Sequence, residues 1–238
     1  MAWVMLGVPF VVEQMAASGF EAVLIDCQHG LCSHADMVNC LAAARAAGIP
    51  ALVRPMSADK GLIGRALDAG AQGVVCPLIE TAEDAEAVVQ AVKYPPRGAR
   101  SWGPYAARFV MEDDYFENAN GWTIACLQIE TAPAIENLDA ILAVEGADMV
   151  LVGPNDLAAA LTGRRDISAP EVLEAIDLVL AKARERGVIA AIYANDLEYA
   201  GPLVEAGWHV ISVGSDTGML ASGAEAVVRA LRQEDQPS

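Results

Sequence analysis

Eight short apolar runs, six of them entered through a glycine, alternate with helix-forming segments and predict one (β/α)8 TIM barrel domain over residues 1–238. The glycines stand in Ser18-Gly19-Phe20, Ala47-Gly48-Ile49, Ala69-Gly70-Ala71, Glu145-Gly146-Ala147, Arg186-Gly187-Val188 and Ala206-Gly207-Trp208. Just past a helix end, glycine takes the left-handed conformation without a Cβ penalty, so each marks a helix-to-strand loop. The runs are nearly unbroken in apolar residues, as parallel strands covered on both faces require. A doubly wound open sheet shares this alternation, but no GxGxxG follows the first run.

The elements follow in order. Strand one is Ala2–Leu6, inside an uncharged segment, Met1–Val12, that lacks a basic start and is closed by Glu13. That segment is read as core rather than signal peptide, and the protein is expected in the cytosol. Strands two to four are Ala22–Asp26, Ala51–Arg54 and Gly73–Cys76, followed by a helix over Thr81–Lys93. Residues Tyr94–Gly121 break the rhythm with Tyr94-Pro95-Pro96-Arg97-Gly98 and Arg100-Ser101-Trp102-Gly103, then an acidic, aromatic stretch from Glu112 to Phe116. This long segment is expected on the catalytic face, as a binding lid or a surface excursion. Strands five to eight are Thr123–Glu130, Met149–Val152, Val188–Tyr193 and His209–Val213, with helices over Pro170–Arg186 and Ala221–Leu231.

Charge excludes some partners. Fifteen basic against 32 acidic residues give a net charge of −17, which repels nucleic acid and anionic membrane surfaces. An anionic substrate therefore needs a local cation. No apolar stretch approaches the roughly 18 residues of a membrane-spanning helix. The five cysteines form no CxxC pair and read as reduced core residues, Cys27 apart, since it lies in a polar strand end. The three lysines, Lys60, Lys93 and Lys182, fall on helices or in a loop, whereas a Schiff-base aldolase needs one on a barrel strand. Carbonyl activation is left to a metal plus arginine.

Barrel enzymes carry their chemistry at the C-terminal ends of the strands. Here those ends read Asp26-Cys27-Gln28-His29-Gly30, Arg54-Pro55, Cys76-Pro77, Gln128-Ile129-Glu130-Thr131, Gly153-Pro154-Asn155-Asp156 and Gly214-Ser215-Asp216. Glu130 and Asp156 are hard oxygen ligands on neighbouring strands, a set that suits Mg2+ or Mn2+. Asp156 is alternatively a helix N-cap, and the backbone N–H groups around it form a site for a substrate carboxylate. Arg54 reads either as a catalytic cation or as an ion-pair partner of Asp26 or Glu130. Asp216, between Ser215 and Thr217, reads as a helix cap, and His34 and His209 as structural.

With these motifs in order, together with Leu67-Asp68-Ala69-Gly70-Ala71-Gln72-Gly73 and Val152-Gly153-Pro154-Asn155-Asp156-Leu157, the chain resembles the HpcH/HpaI family of metal-dependent (class II) pyruvate aldolases over nearly its whole length. The resemblance implies Glu130 and Asp156 as metal ligands, Arg54 as the group that stabilises the enolate and His29 as the base. It also implies Gln128 and Asn155 as contacts of the keto acid, and Asp26 beside the incoming aldehyde. Asp68 would raise the basicity of the histidine. A barrel puts Asp68 at the far end of its own helix from His29, so that role implies a homo-oligomer, in the family usually a hexamer, with Asp68 reaching a neighbouring subunit. The chain departs from the family at Cys27-Gln28, at Asn155 and at Arg100-Ser101-Trp102-Gly103, where substrate choice would be set. The function expected is reversible cleavage of a 4-hydroxy-2-oxo acid to pyruvate or hydroxypyruvate and an aldehyde. A 2-oxo acid decarboxylase on the same site and a non-catalytic ligand-binding barrel remain as alternatives.

Overall fold

All six junction glycines take positive φ, from +68° at Gly187 to +105° at Gly70, and a strand follows each. The structure, a computed structural model, describes residues 1–109 and 114–234. In order the elements are β1 (Ala2–Val4), α1 (Pro9–Ala17), β2 (Val23–Asp26), α2 (His34–Ala47), β3 (Ala51–Arg54), α3 (Lys60–Asp68), β4 (Gly73–Cys76) and α4 (Ala82–Val92). Then come α5 (Tyr115–Trp122), β5 (Ile124–Ile129), α6 (Ala132–Glu136), α7 (Leu138–Leu142), β6 (Met149–Val152), α8 (Pro154–Thr162), α9 (Pro170–Arg186), β7 (Ile189–Ala194), α10 (Leu197–Ala206), β8 (Val210–Val213) and α11 (Asp216–Glu234). Reciprocal capping boxes start α2 (Ser33 with Asp36) and α4 (Thr81 with Asp84).

The strands form one parallel sheet in sequential order, β1 to β8, which is the (β/α)8 barrel. The ends meet through a parallel bridge between Trp3 and Ser215 and a hydrogen bond from the Met1 amino group to the Ile211 carbonyl. β1 stops two residues short of the expected Leu6, because the Met5 and Leu6 N–H groups donate to the Asp216 carboxylate instead of to a strand. Asp216 is thus more than the expected cap. Its carboxylate fastens β1 to α11, and the Ser215 hydroxyl accepts from Gly218 N at the helix start. α11 begins at Asp216 instead of Ala221 and leaves Leu220, Val227, Val228 and Leu231 exposed.

Side chains alternate in and out along each strand. Trp3, Leu24, Leu52, Val75, Cys126, Met149, Leu151 and Ala191 fill the barrel, while the intervening residues pack beneath the helices. Two residues further along the inward track stand Asp26, Arg54, Gln128 and Tyr193. The inward face therefore changes from apolar to polar at the C-terminal rim.

The segment after α4 lies at the opposite end, which corrects the expectation of a lid. α4 has already returned the chain to the N-terminal face before Tyr94. There Lys93 Nζ bonds the Asp148 carboxylate ahead of β6, and Ala106 N donates to the carbonyl of Asp68 at the end of α3. Arg100 Nη2 holds the Asp68 carboxylate at 2.8 Å, and Arg100 also lies against Tyr94 and Tyr115. Trp102 and Phe116 complete this aromatic cluster. Glu112 and Asp113 lie outside the described residues. Lys60 opens α3 instead of lying in a loop, and Lys93 is buried just past α4 with three oxygen partners. Among the described residues no helix is long and apolar enough to cross a membrane.

Candidate active site

The β2–β3 register sets Asp26 opposite Arg54. Arg54 grips the carboxylate with two hydrogen bonds, Nε to Oδ1 at 3.0 Å and Nη2 to Oδ2 at 2.6 Å. Trp3 Nε1 donates to Oδ2, and the backbone N–H groups of Gln28 and His29 donate to Oδ1. Burial pushes the Asp26 carboxyl up, but the Arg54 hydrogen bonds and charge, with Trp3 and Gln28, hold it below the usual carboxylate range. The Trp3 ring lies 4.7 Å beneath the guanidinium and meets Tyr193 edge-on. The cation is thereby fixed from both sides. The loop after Asp26 is equally constrained: a Cβ at Gly30 would collide with the carbonyl oxygens of Asp26 and Met5, so the turn that presents His29 needs glycine.

Glu130, at the end of β5, is 3% exposed. Its Oε1 accepts from Leu78 N at 3.0 Å and its Oε2 from Gln128 Nε2 at 2.5 Å. Leu78 supplies that N–H from a left-handed backbone, φ +57°, a conformation that costs about 1–3 kcal/mol. Burial, assisted by the charge of Asp156, raises the Glu130 carboxyl above its ordinary value despite the bond from Leu78. Gly153 ends β6 where a Cβ would come within 2.8 Å of Glu130 Oε2 and 3.2 Å of Gln128 Nε2. It caps α8, whose third residue is Asp156, so Asp156 is a first-turn carboxylate and not the N-cap. The N–H groups of Asn155 and Asp156 have no carbonyl one turn back, as at any helix start.

One cavity of about 380 Å3 joins these groups at the C-terminal rim; His29, Arg54, Gln128, Asn155 and Asp156 line it. The volume is that of a small-molecule site. Larger cavities exist on the helical flank, beside β8 and beside α3, but His29, Arg54 and Asp156 line none of them.

A model for the HpcH/HpaI aldolase/citrate lyase family matches residues 1–223. The chain belongs to that family. It is 36% identical over 218 residues to the 2-keto-3-deoxy-L-rhamnonate aldolase of Salmonella schwarzengrund, covering 90% of this chain and 82% of that one. The HpcH/HpaI aldolase/citrate lyase family protein of Burkholderia cenocepacia superposes with a TM-score of 0.90 at 34% identity, over 97% of this chain and 93% of that one. The HpcH/HpaI aldolase of Desulfitobacterium hafniense superposes with a TM-score of 0.91 at 28% identity, over 100% and 93%. The chain is therefore an aldolase, a carbon–carbon lyase.

In this HpcH/HpaI aldolase the cavity gathers His29, Arg54, Asp26, Gln128, Asn155 and Asp156 from the sequence-derived set, with Glu130 in contact with Gln128 beneath it. Asp68 is elsewhere, at the C-terminal end of α3 and paired with Arg100. Asp26 is completely buried, its oxygens taken by Arg54, Trp3 and the 28–29 backbone, so it acts on Arg54 and on the His29 loop. The Asn155 amide exchanges two hydrogen bonds with Asn195. Among the lining residues that escape the motif reading are Trp3, Tyr193 and Arg165. The alternation of β1 and β7 marks the first two, whereas Arg165 sits in the irregular α8–α9 connection, where no pattern singles it out.

The residues present suit a divalent cation. Among the described residues no three His, Cys, Asp or Glu side chains form a closed cage. Mg2+ and Mn2+ do not need one, since one or two carboxylates suffice when water and substrate complete the shell. Glu130 beside Asp156 is such a pair, and the buried Gln128 Oε1 next to it has no donor among the described residues.

Proposed function

We propose that this aldolase reversibly cleaves a 4-hydroxy-2-oxo acid to pyruvate, or hydroxypyruvate, and an aldehyde, with Mg2+ or Mn2+ held by Glu130 and Asp156. The observation that carries this reading is the buried Glu130, which feels the charge of Asp156 and bonds Gln128 of the cavity that also holds Asp156 and an arginine whose direction is fixed by Asp26. When bound, the cation supplies Lewis acidity toward the carboxylate and keto oxygens of the 2-oxo acid.

Arg54 supplies the second positive charge. Asp26 occupies Nε and Nη2, which leaves Nη1 directed by the same clamp for the oxygen that gains charge in the enolate. A donor held in advance stabilises the transition state more than the ground state. His29 is the histidine of the cavity and takes the 4-hydroxyl proton during cleavage, returning it during condensation. The free N–H groups at the start of α8 and the Gln128 amide orient the 2-oxo acid. Asp68 acts on the His29 of a neighbouring copy in a homo-oligomer, a reading supported by its distance from its own cavity and by the exposed apolar side of α11.

Exchange of the pyruvate methyl protons into D2O, followed by NMR on EDTA-treated protein with and without Mn2+ or Mg2+, tests this without a known aldehyde. Metal-dependent exchange that disappears in Glu130→Gln and Asp156→Asn is expected. No exchange of pyruvate or hydroxypyruvate with either metal overturns the proposal. Activity toward oxaloacetate without any aldehyde reaction assigns the site to decarboxylation.

A further inference from the structure

Asn195 stands one residue past β7, in step with the inward-facing Ala191 and Tyr193. Its backbone is pinned on both sides: Gly214 N donates to the Ala194 carbonyl, and Asp196 caps α10 by accepting from Tyr199 N at 2.8 Å. Across the rim, Asn155 is the second residue of α8. The two side-chain amides pair reciprocally, Asn155 Nδ2 to Asn195 Oδ1 at 3.0 Å and Asn195 Nδ2 to Asn155 Oδ1 at 3.3 Å. Asn155 lines the active-site cavity, Asn195 lines the cavity of about 830 Å3 beside β8, and Tyr193 lines both. The amide pair therefore stands between two cavities that meet at Tyr193. They differ in character. The second is walled by Phe20, Leu197, Val213 and Met219, and its charged lining residues, Asp196 and Glu198, are both carboxylates.

We propose that the Asn155–Asn195 pair sets the length of aldehyde this aldolase accepts, by closing the active-site cavity against the apolar one beside β8. The proposal rests on the reading that 2-oxo acid and aldehyde meet in the first cavity, and it names the substrate class: an aldehyde short enough to end at the pair. A hydrocarbon chain pushed between the two amides breaks both hydrogen bonds and replaces neither. Beyond them it would find apolar walls, which favour binding about fourfold for each methylene buried. A tail with a negative end would instead meet Asp196 and Glu198. Asn195 acts through its bonds to Asn155, so it is a specificity residue and not a catalytic one.

The test is a length series. Straight-chain 2-oxo acids from 2-oxobutanoate to 2-oxooctanoate have the skeleton of the aldol without its 4-hydroxyl, so they bind without being cleaved. On the Mn2+-loaded wild type, calorimetry should show an affinity that levels off along the series. Asn195→Ala removes both bonds of the pair. It should leave 2-oxobutanoate unchanged and tighten 2-oxooctanoate roughly 10-fold or more. Condensation of pyruvate with hexanal should gain by the same factor relative to acetaldehyde. Adding Met219→Trp, which fills the second cavity, should restore the wild-type profile. 1-Octanol, which needs neither metal nor reaction, should bind Asn195→Ala roughly 10-fold more tightly than the wild type. Identical length profiles and octanol affinities in the two proteins overturn the proposal. So does a gain that survives Met219→Trp, since the rim would then merely have loosened. If no 2-oxo acid binds either protein but octanol tightens, the reaction proposed above is refuted and the partition between the cavities stands.

Discussion

Asp26 and Arg54 face each other across the β2–β3 ladder and are joined by two hydrogen bonds of 3.0 and 2.6 Å, both side chains buried. Replacing Asp26 with Asn removes the charge and leaves a buried guanidinium without its counter-ion, at a cost of about 3–5 kcal/mol. Urea unfolding is expected to show that loss, and pyruvate enolisation to slow about 100-fold as Arg54 loses its direction. The pH dependence has a definite sign. The Asp26 carboxyl titrates below its ordinary value of 3.8, so the stability it lends is complete above that value and is lost as pH falls through the lower folded one. The gap between wild type and Asp26→Asn should therefore stay constant near neutrality and close below about pH 4. A gap that persists at low pH would mean the loss comes from packing and not from charge.

Gly153→Ala tests how tightly the carboxylate site is built. The new methyl would meet Glu130 Oε2 and Gln128 Nε2, which are hydrogen-bonded to each other. Overpacking of this kind costs about 1–3 kcal/mol when absorbed by the fold. Here the displaced group is the flexible end of Glu130, so Mn2+ affinity, read by calorimetry, should fall at least 10-fold with little change in melting temperature. Unchanged Mn2+ binding would separate Glu130 from the metal.

The barrel and the site rim are legible in the sequence for one physical reason. Parallel strands buried on both faces are apolar until they reach solvent, so their last residues, Asp26, Arg54, Glu130 and the Gly153–Asp156 run, announce the catalytic end. The same alternation places Trp3 and Tyr193 inward, yet a tryptophan in a strand reads as core until its neighbours are known. Residues Tyr94–Gly121 mislead because Pro, Gly and aromatic content signals a loop without saying at which end. Their place after α4 decides it, since a helix-to-strand connection belongs to the N-terminal face. Arg165 carries no periodic signal and is found only when the cavity is drawn.

Arg165 lines the cavity and has no ion-pair partner among the described residues. In a chain of net charge −17 it is a cation at the mouth with no carboxylate paired to it, whereas Arg54 is held by Asp26. Arg165→Gln should raise KM roughly 10-fold for an aldehyde with a distal carboxylate and far less for a neutral aldehyde of equal length, with the contrast shrinking at high salt. Equal effects on both aldehydes would show that Arg165 shapes the mouth without reading charge.

The last prediction concerns closure of the barrel. Asp216 is 3% exposed, and its two oxygens accept from Met5 N and Leu6 N at 3.0 Å and from Thr217 N at 2.8 Å. Asp216→Ala strands the two β1 donors, each worth roughly 1–3 kcal/mol when left unpaired. Its loss should total about 3 kcal/mol, and the Met5 and Leu6 amides should exchange with solvent faster than those of β2. Asn at 216 keeps one acceptor and should fall between the two. Ser215→Ala removes the bond from Gly218 N and the one shared with the Thr217 hydroxyl, leaves both β1 contacts in place, and should cost about 1 kcal/mol, as a lost helix cap does. If Asp216→Ala costs no more than Ser215→Ala, the carboxylate is a cap after all and the β1 contact contributes nothing to stability.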